Sequence, residues 1–235
     1  MIRVWHADVG DVFGVDGREA RAVTCLLDAE RARYARFRHD EDRRMFLLGR
    51  VMARAAVGEA LGVDPRAWTW CEGPRGRPEI AGIESPVSFN IAHSAGIVVC
   101  AVSPEGLVGV DVESRTRRSL ERALIDRCCS PEEAADVLAH GGGWGDRFLQ
   151  YWTLKESYLK AVGLGISVPL AEVRFALGPK PRAMFTGSLA GADQGWTFTL
   201  TELGPSHYLA VAASPTRDRG APTIERSPLP DAWLP

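Results

Sequence analysis

Three acids and two lysines, spread over two stretches of the chain, carry its strongest chemical pattern. The run Leu107 to Glu113, Leu-Val-Gly-Val-Asp-Val-Glu, alternates as a strand does. Asp111 and Glu113 therefore share one face, while Val110 and Val112 turn the other way into a core. Downstream, Trp152 to Lys160, Trp-Thr-Leu-Lys-Glu-Ser-Tyr-Leu-Lys, reads as the middle of an amphipathic helix. On it Glu156 and Lys160 lie four residues apart on one side, with Trp152 a turn earlier and Lys155 beside them. Adjacent carboxylates repel unless a cation sits between them. With Glu156 added there are three hard oxygen donors and room for water or phosphate oxygens, the way Mg²⁺ is held when it arrives on its substrate. The chain has only three lysines, Lys155, Lys160 and Lys180, among 28 basic residues. Two of them within one helical stretch point to a need for a compact ammonium. The plainer reading, a strand end in solvent and a surface Glu-Lys pair worth a few tenths of a kcal/mol, accounts for the acids but not the lysines.

The elements that must position these groups follow from the pattern before and after them. Residues 2–7 read as a strand and 19–38 as an Arg-dense helix, with Asp40 as the cap of a long helix over 41–62. Met45, Leu48, Met52, Ala56 and Leu61 form that helix's buried stripe, while Arg43, Arg50 and Arg54 recur on a cationic face fit for an anion. A strand is expected near Trp68 to Cys71, then a turn-rich loop carrying Arg75 and Arg77. The strand over 87–91 ends at Ala92-His93-Ser94, which puts His93 just past it, and 97–102 pairs back. In the second half, a helix runs over 119–129, Ser130-Pro-Glu-Glu begins another with a capping box, and the Trp152 helix stops at Gly163. Strands follow at 172–177, 196–203 and 208–213, then a loose tail from Ser214. Each half offers a long helix with a glycine stop followed by a hairpin. The expected division is 1–106 and 107–235, two similar halves with a cleft between them and the acid strand at the seam.

Composition narrows the function classes. At 235 residues, 46% hydrophobic and 25% charged, the chain is an ordinary globular protein, and a net charge of −2 argues against a general nucleic-acid or membrane surface. No apolar run approaches the ~20 residues of a membrane span, and the amino-terminal residues lack a signal-peptide core. Cys128 and Cys129 are adjacent, poor geometry for a mutual disulfide, and Cys25, Cys71 and Cys100 sit in apolar contexts. These features predict a reducing, cytoplasmic setting.

Taken together, Gly109-Val-Asp-Val-Glu113 and Trp152 to Lys160 resemble the paired motifs of the surfactin-synthetase type of 4′-phosphopantetheinyl transferase. The resemblance extends to Gly76-Arg-Pro78, to Phe89-Asn-Ile-Ala-His-Ser94 and to the helix at Phe46 to Arg50, in order, from about residue 30 to residue 170. It implies an α/β (α+β) pseudo-dimer of two similar halves, with coenzyme A in the cleft between them. The implied activity moves the phosphopantetheine arm of coenzyme A onto a serine of an apo acyl or peptidyl carrier protein, releasing adenosine 3′,5′-bisphosphate. By the same resemblance Asp111, Glu113 and Glu156 hold Mg²⁺, or Mn²⁺ in its place, and Glu156 accepts the serine proton. Lys155 and Lys160 contact phosphates, the latter aiding the leaving group. Arg50, Arg77 and His93, with Arg43 and Arg75, bind the 3′-phosphate and adenine end, and Leu124 and Ile125 face the carrier. The expected partners are coenzyme A and the carrier alone, with the protein a monomer.

Two residues depart from the family's pattern. Ala92 stands where a serine often precedes the histidine, and Arg77 stands for a lysine, which keeps the charge and adds a fork suited to phosphate. A metal-dependent nuclease is the rival enzyme class, but its Glu-x-Lys belongs on a strand whereas Lys155-Glu156 lies on a helix in the opposite order. A relative that binds coenzyme A or a carrier without transfer is the non-enzymatic rival; intact Asp111, Glu113, Glu156 and Lys160 argue against it.

Overall fold

The computed structural model describes residues 1–73, 76–116, 120–165, 168–215 and 222–234. In chain order the first part comprises β1 (Ile2–Asp8), α1 (Val9–Phe13), α2 (Arg18–Thr24), α3 (Asp28–Tyr34), α4 (Asp40–Leu61), β2 (Thr69–Glu72), β3 (Pro78–Ala81), β4 (Ser88–Ser94) and β5 (Ile97–Ser103). The second comprises β6 (Val108–Ser114), α5 (Ala123–Cys128), α6 (Pro131–Ala139), α7 (Trp144–Val162), β7 (Phe175–Ala176), β8 (Arg182–Ala183), β9 (Thr197–Leu203), β10 (His207–Ala213) and β11 (Ile224–Pro228).

Each half places one long helix on one sheet. The first sheet has the order β11-β1-β5-β4 and the second β6-β10-β9. Helix α4 carries three acids in its first turn, where they favour the positive end of its dipole. It stops at Gly62, whose φ of 69° suits a residue without Cβ. Its apolar face, Met45, Leu48 and Met52 among others, packs on the side of the first sheet that bears Trp5, Cys100 and Val102. Helix α7 likewise ends at Gly163 and covers Ala210 and Ala212 of the second sheet. The sheet faces turned away from the helices meet in a third apolar cluster, in which Val4, Val99 and Ala101 pack against Val110, Val112, Leu209 and Val211. Strand β6 is thus covered on both faces, by this cluster and by α7.

Side chains fasten the two sheets along their facing edges. Asn90 Oδ1 accepts from Val110 N at 3.1 Å and Ser94 Oγ from Ser114 N at 3.1 Å, four residues on along both strands. His207 Nε2 adds a bond to the Ser94 carbonyl at 3.0 Å.

Several sequence expectations need correction. Residues 19–38 form two short helices, because the chain turns at Cys25 to Leu27 so that Leu26, 3% exposed, enters the core. Asp40 is the first residue of α4 and His39 its cap. Strand β4 runs through Ser94, which places His93 inside the strand opposite Val98 rather than past its end. Residues 222–234 of the expected loose tail are ordered against the first half. Strand β11 pairs in parallel with β1, and Trp233 packs on Trp5 with ring centroids 4.7 Å apart, so the carboxyl-terminal segment completes the sheet of the first half. Cys71 is exposed rather than buried, and all five cysteines are free.

One contact sets the height of α7 above its sheet. A Cβ at Gly109 would lie 2.0 Å from the Ser157 carbonyl oxygen and 2.4 Å from the Ala161 nitrogen, so only glycine lets helix and strand backbones touch. Gly109→Ala should therefore cost about 3 kcal/mol or more, beyond ordinary overpacking because the obstacle is backbone. Thermal unfolding of that variant at wild-type stability would show that α7 does not lie against β6.

Candidate active site

The close approach at Gly109 delivers two residues of α7 to the strand acid one pleat further on. Asp111, 4% exposed, accepts at Oδ1 from Lys160 Nζ at 2.5 Å. Among the described residues its other oxygen, Oδ2, is buried without a hydrogen-bond partner, as is Glu156 Oε1 one turn before Lys160. Glu113, two residues along β6 on the same face, accepts at Oε1 from Trp152 Nε1 at 2.9 Å.

Electrostatics show an unbalanced site. Burial pushes the Asp111 carboxyl up to about 7; Lys160 opposes this, and Glu113 and Glu156 add to it. Glu156 is raised as well, by burial first and by Glu113, with Lys160 again opposing. On Lys160 burial works to lower the pKa, but Asp111, Glu156 and Glu113 outweigh it and hold the ammonium above its ordinary value. One cation thus faces three acids in a partly enclosed space.

Among the described residues no three acid, His or Cys side chains stand close enough together to form a finished metal cage. The two orphaned oxygens nonetheless fit a hard cation. Mg²⁺ characteristically takes one or two carboxylates and fills its remaining positions with water and phosphate oxygens.

Two adjoining cavities lead away from this cluster. The nearer, about 210 Å³, brings Arg77, Asn90, Glu156 and Lys160 together across the seam. The farther, about 360 Å³, holds Arg50, Trp70 and His93 and shares Gly76, Pro78 and Ile91 with the first. Among the described residues Arg77 Nε and Nη2 are buried without partners, and burial lowers the Arg77 pKa. Arg50 is driven to about 10, chiefly by burial. His93 keeps an open edge, yet the cleft around its ring and then the Lys160 charge lower its pKa, with Asp42 working the other way. A larger cavity of about 480 Å³ lies under Trp233, but Arg54 there is already spent on Glu30 at 2.9 Å.

The structure separates the expected site residues into groups. It brings Asp111, Glu113, Glu156 and Lys160 together, with Arg77 nearby and Arg50 and His93 in the adjoining cavity. Lys155 needs correction: it is 1% exposed and its ammonium donates to Glu133 Oε2 at 2.6 Å, the Cys128 carbonyl at 2.7 Å and the Leu170 carbonyl at 2.9 Å. All three donors are used in the core of the second half. Arg43 pairs with Asp40 at 2.9 Å and lines neither cavity. Arg54 belongs to the core, not to a cationic face. Ile125, 2% exposed, is packed inside the second half and presents no surface to a carrier. Arg75 lies outside the described residues. Sequence reading passed over Asn90, whose signal was a poor strand former between Phe89 and Ile91, and Trp70.

Residues 18–105 match a family model described as 4′-phosphopantetheinyl transferase, N-terminal, and residues 107–212 one described as 4′-phosphopantetheinyl transferase superfamily. The chain belongs to the 4′-phosphopantetheinyl transferase superfamily. Relatives include a phosphopantetheinyl transferase from Thraustochytrium, 32% identical over 90% of this chain and 78% of that protein. The transferase HetI from Nostoc is 36% identical over 80% and 78%, and Sfp from Bacillus subtilis 32% over 83% and 84%. The chain is a transferase of the Sfp type, one that attaches phosphopantetheine to carrier proteins. Among the described residues no helix is long and apolar enough to cross a membrane.

The assignment of Lys155 to the core can be tested directly. Lys155→Met leaves the Glu133 carboxylate buried without its cation and should cost about 3–5 kcal/mol in urea unfolding, part of which a second change, Glu133→Gln, should restore. A Lys155→Met protein of wild-type stability that had lost only activity would place the ammonium at the substrate instead.

Proposed function

We propose that this transferase uses coenzyme A as its donor and Mg²⁺ as its cofactor, attacks the pyrophosphate with a carrier serine and releases adenosine 3′,5′-bisphosphate. The observation that carries this reading is the pair of orphaned oxygens, Asp111 Oδ2 and Glu156 Oε1, beside a charged Lys160 in a cleft lined onward by Arg77, Arg50 and His93. Asp111, Glu113 and Glu156 would hold the ion. When bound, it neutralises charge on the pyrophosphate oxygens and supports their departure.

The chain's own groups divide the remaining work. Lys160, kept protonated by three carboxylates, sets a fixed positive charge where the bridging oxygen of the pyrophosphate gains electron density as its bond to phosphorus breaks. The serine oxygen forms the new bond to that phosphorus, and its proton passes to Glu156, which lines the nearer cavity beside Lys160. Arg77 offers two unspent buried N–H groups to phosphate oxygens. Arg50 and a neutral His93 take the 3′-phosphate and adenine end, His93 through hydrogen bonding rather than charge. This division leaves Lys155 with a core role and Arg43 on its own helix. We place the reaction in the cytoplasm, on a monomer.

The test is to incubate the protein with an apo carrier, coenzyme A and Mg²⁺ and to weigh the carrier by mass spectrometry. The expected product is the carrier carrying one phosphopantetheine, formed only with metal present. Asp111→Ala should abolish it while circular dichroism stays native. Metal-independent transfer, or near-normal transfer by Asp111→Ala, would overturn the proposal.

A further inference from the structure

The cavity that holds Arg50 contains a contact that the transfer reaction does not require. Arg50 Cζ lies 3.7 Å from the centroid of the Trp70 ring and 4.8 Å from that of Phe46, so the guanidinium is within cation–π distance of both an indole and a phenyl. Among the described residues its one ion-pair neighbour is the Glu30 carboxylate, at 4.0 Å. Glu30 is committed elsewhere: Oε2 accepts from Arg54 at 2.9 Å and 3.2 Å and from the Leu27 nitrogen at 2.9 Å. Arg50 is therefore a largely enclosed cation, its side chain 14% exposed, fixed by π faces rather than by anions. Such faces orient the guanidinium plane while leaving its in-plane N–H groups unspent.

Trp70 reaches this position from the β2–β3 hairpin, where it pairs with Ile80 and packs on Trp68 and Phe89. The loop of the same hairpin leads into Arg77, whose carbonyl accepts from the Gly73 nitrogen at 2.7 Å. One small hairpin thus sets two guanidinium groups along the cleft.

We propose that Trp70 is a positioning and specificity-determining residue: its indole clamps Arg50 edge-on to the terminal phosphate of the nucleotide, and so sets the preference for a donor bearing a 3′-phosphate. This rests on the proposed reading of Arg50. The ring acts through Arg50, not by stacking the base, because its face is occupied by the guanidinium.

Calorimetry with coenzyme A and with dephospho-coenzyme A, which lacks the 3′-phosphate, tests the clamp. Trp70→Leu keeps apolar volume and removes the π face. It should raise the Kd for coenzyme A roughly three- to thirty-fold, the equivalent of losing one partly desolvated cation–π contact, and leave dephospho-coenzyme A unchanged. Trp70→Phe, which restores a face and tolerates the same packing, should return most of the loss. Equal weakening of both ligands would make Trp70 an adenine-stacking or merely structural residue, and no effect on either would remove it from the site; both results overturn the clamp. Arg50→Ala separates this from the underlying assignment. If that variant discriminates between the ligands and Trp70→Leu does not, the clamp alone fails; if Arg50→Ala weakens both alike, the placement of the 3′-phosphate fails with it.

Discussion

The contact between Asp111 and Lys160 is the constraint around which the molecule is built. It joins a strand buried on both faces to a helix, at 2.5 Å, and exists only because Gly109 allows α7 to rest on the β6 backbone. Asp111 in isolation would be an expensive group to bury. Burial raises its pKa, and Lys160 opposes that rise only in part. On the proposed reading, a divalent cation arriving with phosphate would offset the negative charge gathered on these carboxylates.

The seam between the halves extends this logic. Arg50, His93 and Arg77, proposed above for the nucleotide end, belong to α4, β4 and the β2–β3 hairpin of the first half, whereas the acids and Lys160 sit on β6 and α7 of the second. Their separation is fixed by the apolar cluster between the sheets and by the Asn90 and Ser94 bonds across the strand edges. On that reading neither half alone would span a nucleotide and a pyrophosphate. The returning strand β11 adds a further tie, since the chain's last described segment closes the sheet of the first half.

Much of the site could be read from residue spacing, and the failures have physical causes. The alternation at 107–113 placed Asp111 and Glu113 on one face, and the four-residue interval placed Glu156 with Lys160; both periods are fixed by backbone geometry. Lys155 failed because adjacent helical residues point about 100° apart. Spacing says that Lys155 and Glu156 diverge, but not which of them meets the cleft; that was decided by Glu133, itself held by the Ser130 capping box. The strand at β11 was hidden because parallel pairing with a strand more than two hundred residues earlier leaves no local mark. Trp70 was hidden because a π face for Arg50 depends on the tertiary meeting of a hairpin and a helix. The helix break at Cys25 to Leu27 came from tertiary demand for Leu26 in the core, against a local propensity that ran straight through it.

The proposed cation site is one that its substrate completes. Calorimetric titration of Mg²⁺ into the protein, with and without coenzyme A, measures this most directly. The carboxylates do not form a finished cage on their own, so binding should be weak to the free protein and at least about tenfold tighter in the complex, with coenzyme A gaining affinity from Mg²⁺ by the same factor. Equal Mg²⁺ affinity in the two titrations would contradict it.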